Sequence, residues 1–409
     1  MTTAVLPSVS VDRSAGRPEV VWLDNGILRL GVVPAAGGRL LSVALHGRET
    51  LWRNADLLDD DLHPRDGHRI EPHDGPMSAW SNYGGDKTWP APQGWSGPGE
   101  WAGPPDPVLD SGPYAWSTDA RADGAAVLTM TSADDARSGL RLQREIVLRP
   151  GESAYQLTLR GTNVADGPVS WSLWNVTQRA ADAPGSGGVW VGVAPDDPRT
   201  VELAVGTGAP SAEVAAPGIV HLAHQDVVGK LGFPTATGWL AHAAGGSTTT
   251  QAVPVDEDGE YPDGGSRVEV WMEHPLEQPI AHLGDLLPPA RIVEVEVLSP
   301  RRTIEPGGQL ELSVRCATAE GEKAVRSVAL AGHWSAPSAQ GDGRFAVAFH
   351  AYVNGTLCVA DDGQRIGDIA AGQVTDVLVT AALLGRRAVV IRHEDGRRVD
   401  AGRLPEGDR

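Results

Sequence analysis

The densest chemistry in this 409-residue chain lies in thirteen residues, 81–93, which read Ser-Asn-Tyr-Gly-Gly-Asp-Lys-Thr-Trp-Pro-Ala-Pro-Gln. Asp86 and Lys87 are adjacent, with Asn82, Tyr83, Trp89 and Gln93 around them. An acid and a base in such company can exchange protons with a ligand or hydrogen-bond its hydroxyls, and aromatic surroundings disfavour the lysine's charged form. The plainer reading is an ion pair that braces a loop. Gly84-Gly85 permit positive φ or a close backbone approach, and Pro90 and Pro92 hold the residues before them extended. The stretch is therefore expected to be a rigid, aromatic-lined polar loop, the usual material of sites for sugars and small polar ligands.

Carboxylates supply the next candidates. Glu294 and Glu296 alternate with Val293, Val295 and Val297, so on a strand both acids share one face and the valines the other. A close carboxylate pair can raise one pKa into the range useful for a base or an acid; the alternative is a solvated sheet face. Glu273-His274 close the preceding apolar run and carry the same two readings. Lys230 stands in Lys-Leu-Gly, and Asp263 in Tyr-Pro-Asp-Gly-Gly, which is also a plain turn sequence. Asn175 and Gln178 are amides suited to reading hydroxyls, but they fall on opposite faces of a regular strand. His63, His68 and His73 are spaced by five residues among acids. That interval matches no metal-ligand signature, so no metal or other cofactor is assigned, and His73 is the one taken as a substrate contact. No Gly-x-Ser-x-Gly, phosphate-binding loop or dinucleotide fingerprint occurs, which leaves serine-hydrolase, nucleotide and nicotinamide chemistry without support.

The elements that must position these groups are strands. Runs at 19–23, 27–33, 39–45, 125–131, 139–148, 154–160, 169–178, 189–193, 219–223, 238–242, 267–272, 292–298 and 309–316 are apolar or alternate with period two, and turn residues separate them. In 140–148 the apolar face is interrupted by Arg144. Residues 54–113 break the rhythm and are expected to form a long functional loop. Amphipathic helices are almost absent, so the fold class is all-β, a sandwich rather than βαβ units. Residues 1–17 are expected to be a flexible tail, 18–335 the main domain, and 340–409 a small β-rich C-terminal module after a composition shift at 335–343.

Composition narrows the partners. Fifty Gly and 31 Pro fit many turns between short strands. A net charge of -19 disfavours nucleic acid and anionic membranes. Two cysteines support no disulfide framework. No secretory leader pattern or membrane-spanning run is visible, so a cytoplasmic location is expected. Thirteen Trp against three Phe and five Tyr is a skewed aromatic usage. Trp171 reads as core, whereas Trp80, Trp89, Trp95 and Trp101 sit where they can pack a loop or stack on a sugar ring.

The 81–93 stretch, Lys230-Leu231-Gly232, Tyr261-Pro262-Asp263-Gly264-Gly265, and 293–300 followed by Glu305-Pro306-Gly307 resemble a bacterial family of unknown function related to galactose mutarotases (aldose 1-epimerases). The resemblance covers roughly residues 18–335. It implies a galactose mutarotase-like β-supersandwich with a sugar cleft across one sheet. It also implies that Glu294 or Glu296 is the catalytic base. The mutarotase histidines have no counterpart, since Tyr83 precedes Gly84-Gly85 and the strand at 171–178 contains no His. Asp86 and Lys87 are then the expected acid or sugar-orienting groups, with Tyr83, Trp89 and Gln93 lining the ring. The functional expectation is a carbohydrate-active acid/base enzyme, isomerase- or epimerase-like, acting on a small-molecule substrate. Non-catalytic carbohydrate binding and acid/base chemistry on a non-sugar metabolite are the alternatives.

Overall fold

The computed structural model describes residues 5–94, 99–340 and 343–406; Trp95 lies outside them. Two large antiparallel sheets dominate. The first has Ser8–Asp12, Val20–Asp24, Leu28–Val33, Arg39–Leu45, Asp86–Ala91, Val169–Ala180, Ile292–Leu298, Val268–Glu273, Gly229–Phe233 and Val201–Val205 as successive neighbours. The second runs from Glu213–Ala216 through Ile219–Leu222, Gly188–Val193, Ala236–Ala244, Ser247–Ala252, Gln309–Glu320, Ala154–Asn163, Leu140–Leu148 and Ala126–Thr131 to Ala115–Ala120. Their inner faces share one apolar core, with Leu30, Val43, Leu173, Val293 and Val295 meeting Leu128, Ile146, Leu157 and Val314. Alternation puts those valines inward and Glu294 and Glu296 outward.

Three expectations change. Ser8–Asp12 pairs with Val20–Asp24 over five residues, so the tail expected for 1–17 carries an edge strand. Val325–Val328 and Gly332–Ser335 pair into the sheet containing Arg344–Ala351 and Val374–Thr380, so the C-terminal β layer begins before the composition shift. A second small sheet of Arg365–Ile369, Gly355–Val359, Arg387–Arg392 and Arg398–Arg403 completes it around Trp334, Phe349, Leu357 and Val390.

The third change concerns the 81–93 stretch. Asp86–Ala91 is not loop but a fully buried strand between Arg39–Leu45 and Val169–Ala180. A proline in a central strand normally costs a ladder hydrogen bond. Here the partner at 39–45 is paired only at Leu40↔Asp86, so the side of the strand facing it is already free at Pro90. Gly84 and Gly85 have φ of 86° and 78°. A Cβ on either would lie 2.4 Å from a carbonyl oxygen, of Trp52 and Leu40 respectively. These glycines admit the chain's own backbone rather than a ligand.

Candidate functional site

Four strands of the first sheet, together with Asp86–Ala91, carry the polar outer face. Antiparallel register sets Val176 beside both Lys87 and Glu296, Glu296 beside Glu269, Gln178 beside Glu294, and Trp271 beside both Glu294 and Lys230. A cavity of about 310 Å³ lies over this face. Its wall includes Asn82, Trp89, Gln93, Gln178, Lys230, Asp263, Glu273, Glu294 and Glu296, with Trp80, Trp174 and Trp271. Residues separated by more than two hundred positions are thus brought to one site. Its size falls at the small end of ordinary ligand pockets, roughly 300–1,000 Å³.

Two ionic groups form the floor. In the first, Lys87 Nζ lies 3.4 Å from Glu294 Oε1 and over the rings of Trp89 and Trp80, 4.8 and 5.0 Å from their centroids. Gln178 Nε2 donates to the same Glu294 oxygen at 2.6 Å. Both donors converge on Oε1. Burial pulls the Lys87 ammonium below its ordinary pKa, with Glu294 opposing. Glu273 stands on the neighbouring strand, 5% exposed, and Trp271 Nε1 donates to its Oε2 at 3.0 Å. Burial, reinforced by Glu294, pushes the Glu273 carboxyl up to about 8.

In the second group Lys230 Nζ is 2.5 Å from Glu269 and 2.7 Å from Glu296, and 4.4 Å from the Trp174 ring centroid. Trp174 Nε1 donates to Glu296. Burial works against the Lys230 charge, but the two carboxylates outweigh it and raise its pKa. Burial likewise raises Glu296 and Glu269, with Lys230 only partly offsetting it. Asp263, held at φ 52° in its turn, is also raised by burial.

Several expected site residues lie elsewhere. Asp86 points to the interior, where Arg144 pairs with its carboxylate and Asn175 and Thr177 donate to it at 2.7 and 2.5 Å. Asn175 is consumed by that network and by Thr88, whose Oγ donates to its Oδ1 at 3.0 Å. Arg144, which broke an apolar row, is the partner that lets Asp86 be buried. Strand alternation separates Asp86 from Lys87 by a whole sheet face. Tyr83 packs among Val20, Val33, Leu41 and Leu58 and donates its hydroxyl to the Arg69 carbonyl at 2.9 Å, away from the cavity. His73 is anchored through its backbone to Ser111 and does not line the cavity. His63 Nε2 faces Asp12 at 3.0 Å.

Glu269, Trp174 and Trp271 were missed from sequence. The alternation Glu269-Trp271-Glu273 was the available signal, since it places all three on one face. Four buried polar atoms around the cavity lack a hydrogen-bond partner among the described residues: Gln178 Oε1, Glu273 Oε1, Glu296 Oε1 and Trp89 Nε1. Buried polar atoms are ordinarily satisfied. Gln178 Oε1 accepts, whereas Trp89 Nε1 and a protonated Glu carboxyl donate, so the fitting ligand offers both donors and acceptors, as hydroxyl groups do.

The model of a protein family described as "Domain of unknown function (DUF4380)" matches residues 19–315. Among curated proteins no sequence matches. Solved structures similar to this one include a TPR-domain containing protein from Parabacteroides distasonis, 12% identical, with a TM-score of 0.51. That match covers 76% of this chain and 48% of the other, so the chain spans about half the length of that relative. A galactose mutarotase-like protein from Clostridium acetobutylicum is 8% identical over 77% of this chain and 99% of its own, with a TM-score of 0.47. Another from Lactobacillus casei is 12% identical over 73% and 99%, with a TM-score of 0.44.

Proposed function

The chain belongs to the DUF4380 family, a domain of unknown function, and from the chemistry of its cavity we propose that it is a carbohydrate-active acid/base enzyme of the isomerase or epimerase kind. The observation that carries this reading is the pairing of Glu273 and Glu294. Burial raises the Glu273 carboxyl to about 8, while Lys87 and Gln178 both approach Glu294 at one oxygen, Oε1. Glu273 and Glu294 are diagonal neighbours on adjacent antiparallel strands, a relation that separates Cα atoms by roughly 7–8 Å. Both side chains line the same cavity.

In this mechanism Glu294 accepts the proton of a hemiacetal hydroxyl and Glu273 donates its proton to the ring oxygen. The carbon–oxygen ring bond breaks to give the open carbonyl form. Reversal, with attack on the other carbonyl face, returns both protons and yields the other anomer. Lys87 steadies the negative charge on Glu294. The half-buried indoles of Trp80 and Trp271 in the cavity wall are the faces available to sugar C–H groups. Two ammonium groups offset the carboxyls, four of which burial moves toward their neutral forms. A neutral sugar therefore suits the site better than a phosphorylated one.

The test is anomer interconversion of a panel of aldoses, followed by saturation-transfer proton NMR with wild type, Glu273→Gln and Glu294→Gln. Acceleration by wild type that falls at least a hundredfold in either variant is expected. Wild-type rates equal to buffer across the panel would remove the catalytic claim. Sugar binding retained in that case would leave a carbohydrate-binding protein.

A further inference from the structure

We infer that the sugar taken by this site carries an apolar substituent, an alkyl, aryl or acyl group, directed at the apolar part of the cavity wall. This inference rests on reading the cavity as a sugar site and adds what the apolar part of its wall selects. The floor is ionic and holds the unpartnered oxygens. The remaining wall is built from Met77, Pro104, Leu203, Leu283 and Leu286.

Four separate chain segments make that wall, and those bearing Met77, Leu203 and Leu283 are locked together. The short turn Ala281–Leu283 meets the turn Met77–Ala79 so closely that a Cβ on Gly284 would lie 2.8 Å from Met77 Cβ. His282 Nε2 donates to the Val205 carbonyl at 2.7 Å, which ties the same turn to the strand bearing Leu203. Ile280 pairs with Leu286 across the loop. Met77, Leu203, Leu283 and Leu286 are only half-buried by the protein itself, and Leu287 next to them is 52% exposed.

An apolar stretch of wall beside an ionic floor is a mismatch for a bare hexose, which carries hydroxyls around its whole rim. Hydroxyls pressed against Leu and Met would lose water without gaining a partner, and each such loss weakens binding. A ligand with one polyol face and one apolar arm satisfies both walls at once. The arm removes the half-buried leucines and methionine from water, which favours binding in proportion to the apolar area covered.

Binding can be read from the fluorescence of the cavity tryptophans with 4-O- and 6-O-methyl, -benzyl and -octyl ethers of glucose, galactose and mannose, together with the free sugars. The ethers leave the anomeric carbon free for the Glu273–Glu294 pair, and equilibrium binding is read whether or not the anomers interconvert. Benzyl or octyl forms are expected to bind at least tenfold more tightly than the methyl form of the same sugar at one of the two positions. In Leu283→Asn/Leu286→Asn, two half-exposed positions of one loop, that ratio should fall below threefold while methyl-ether affinity stays within twofold. Equal affinity of methyl, benzyl and octyl forms at both positions overturns this inference and leaves the sugar reading standing. A preference that survives in the double variant also overturns it, because the arm would then lie elsewhere. Failure of every sugar and ether to bind removes the sugar reading as well.

Discussion

At the residue scale the site depends on what burial does to Glu273. Its pKa in the folded chain is raised to about 8, against about 4.3 when unfolded. Between these values the folded state holds the proton and the unfolded state has lost it. Stability from this group is therefore fully present below about pH 4 and declines as pH rises to about 8. Glu273→Gln is neutral throughout and removes that decline. Melting temperatures should show the variant gaining on wild type steadily from pH 5 to pH 8.5, and a constant difference would contradict the assignment. Activity, if Glu273 is the acid, should fall in wild type as pH passes about 8. The sequence displayed this glutamate but not its neutrality, because desolvation depends on Trp271 and Glu294 being folded beside it.

At the scale of elements, the decisive unit is the strand Asp86–Ala91. One side of it gives Lys87 and Trp89 to the site, and the other gives Asp86 to the core. Sequence reasoning took Asp86-Lys87 as a working pair because neighbours in a loop can act together. A strand separates them, and its presence was hidden by glycines and prolines that normally mark turns. Arg144 was visible as a flaw in an apolar row, yet its meaning required its partner across the sandwich. Arg144→Met leaves Asp86 buried with only Asn175 and Thr177 to hold it, and breaking a buried pair in this way costs about 3–5 kcal/mol. Urea denaturation should show that loss. A change under about 1 kcal/mol would mean that the pair is not what holds the two sheets at this point.

For the whole molecule, the C-terminal sheets are tied to the sandwich through buried imidazoles. His350 Nδ1 contacts the Glu320 carbonyl at 2.7 Å, His333 Nδ1 contacts the Tyr352 hydroxyl at 2.9 Å, and that hydroxyl meets Thr250 at 2.8 Å. Burial lowers His350 to about 4 and holds His333 well below its ordinary pKa, with His350 adding to it. The unfolded chain takes up protons near pH 6.5 while the folded chain resists until about 4, so stability is lost as pH falls through that window. His350→Gln should flatten the fall in melting temperature between pH 6.5 and 4.5, and an unchanged slope would place the acid sensitivity elsewhere, as in the neutral His224–His242 pair. The all-β class, most strand positions, the outward face shared by Glu294 and Glu296, and the family resemblance were fixed by residue type and period-two spacing, which act locally. Only tertiary structure decided that Asp86, Asn175 and Tyr83 serve the interior, that Lys230 clamps Glu269 and Glu296, and that one wall of the cavity is apolar. Register between distant strands and the burial of charge are long-range consequences of packing, and no local pattern encodes them.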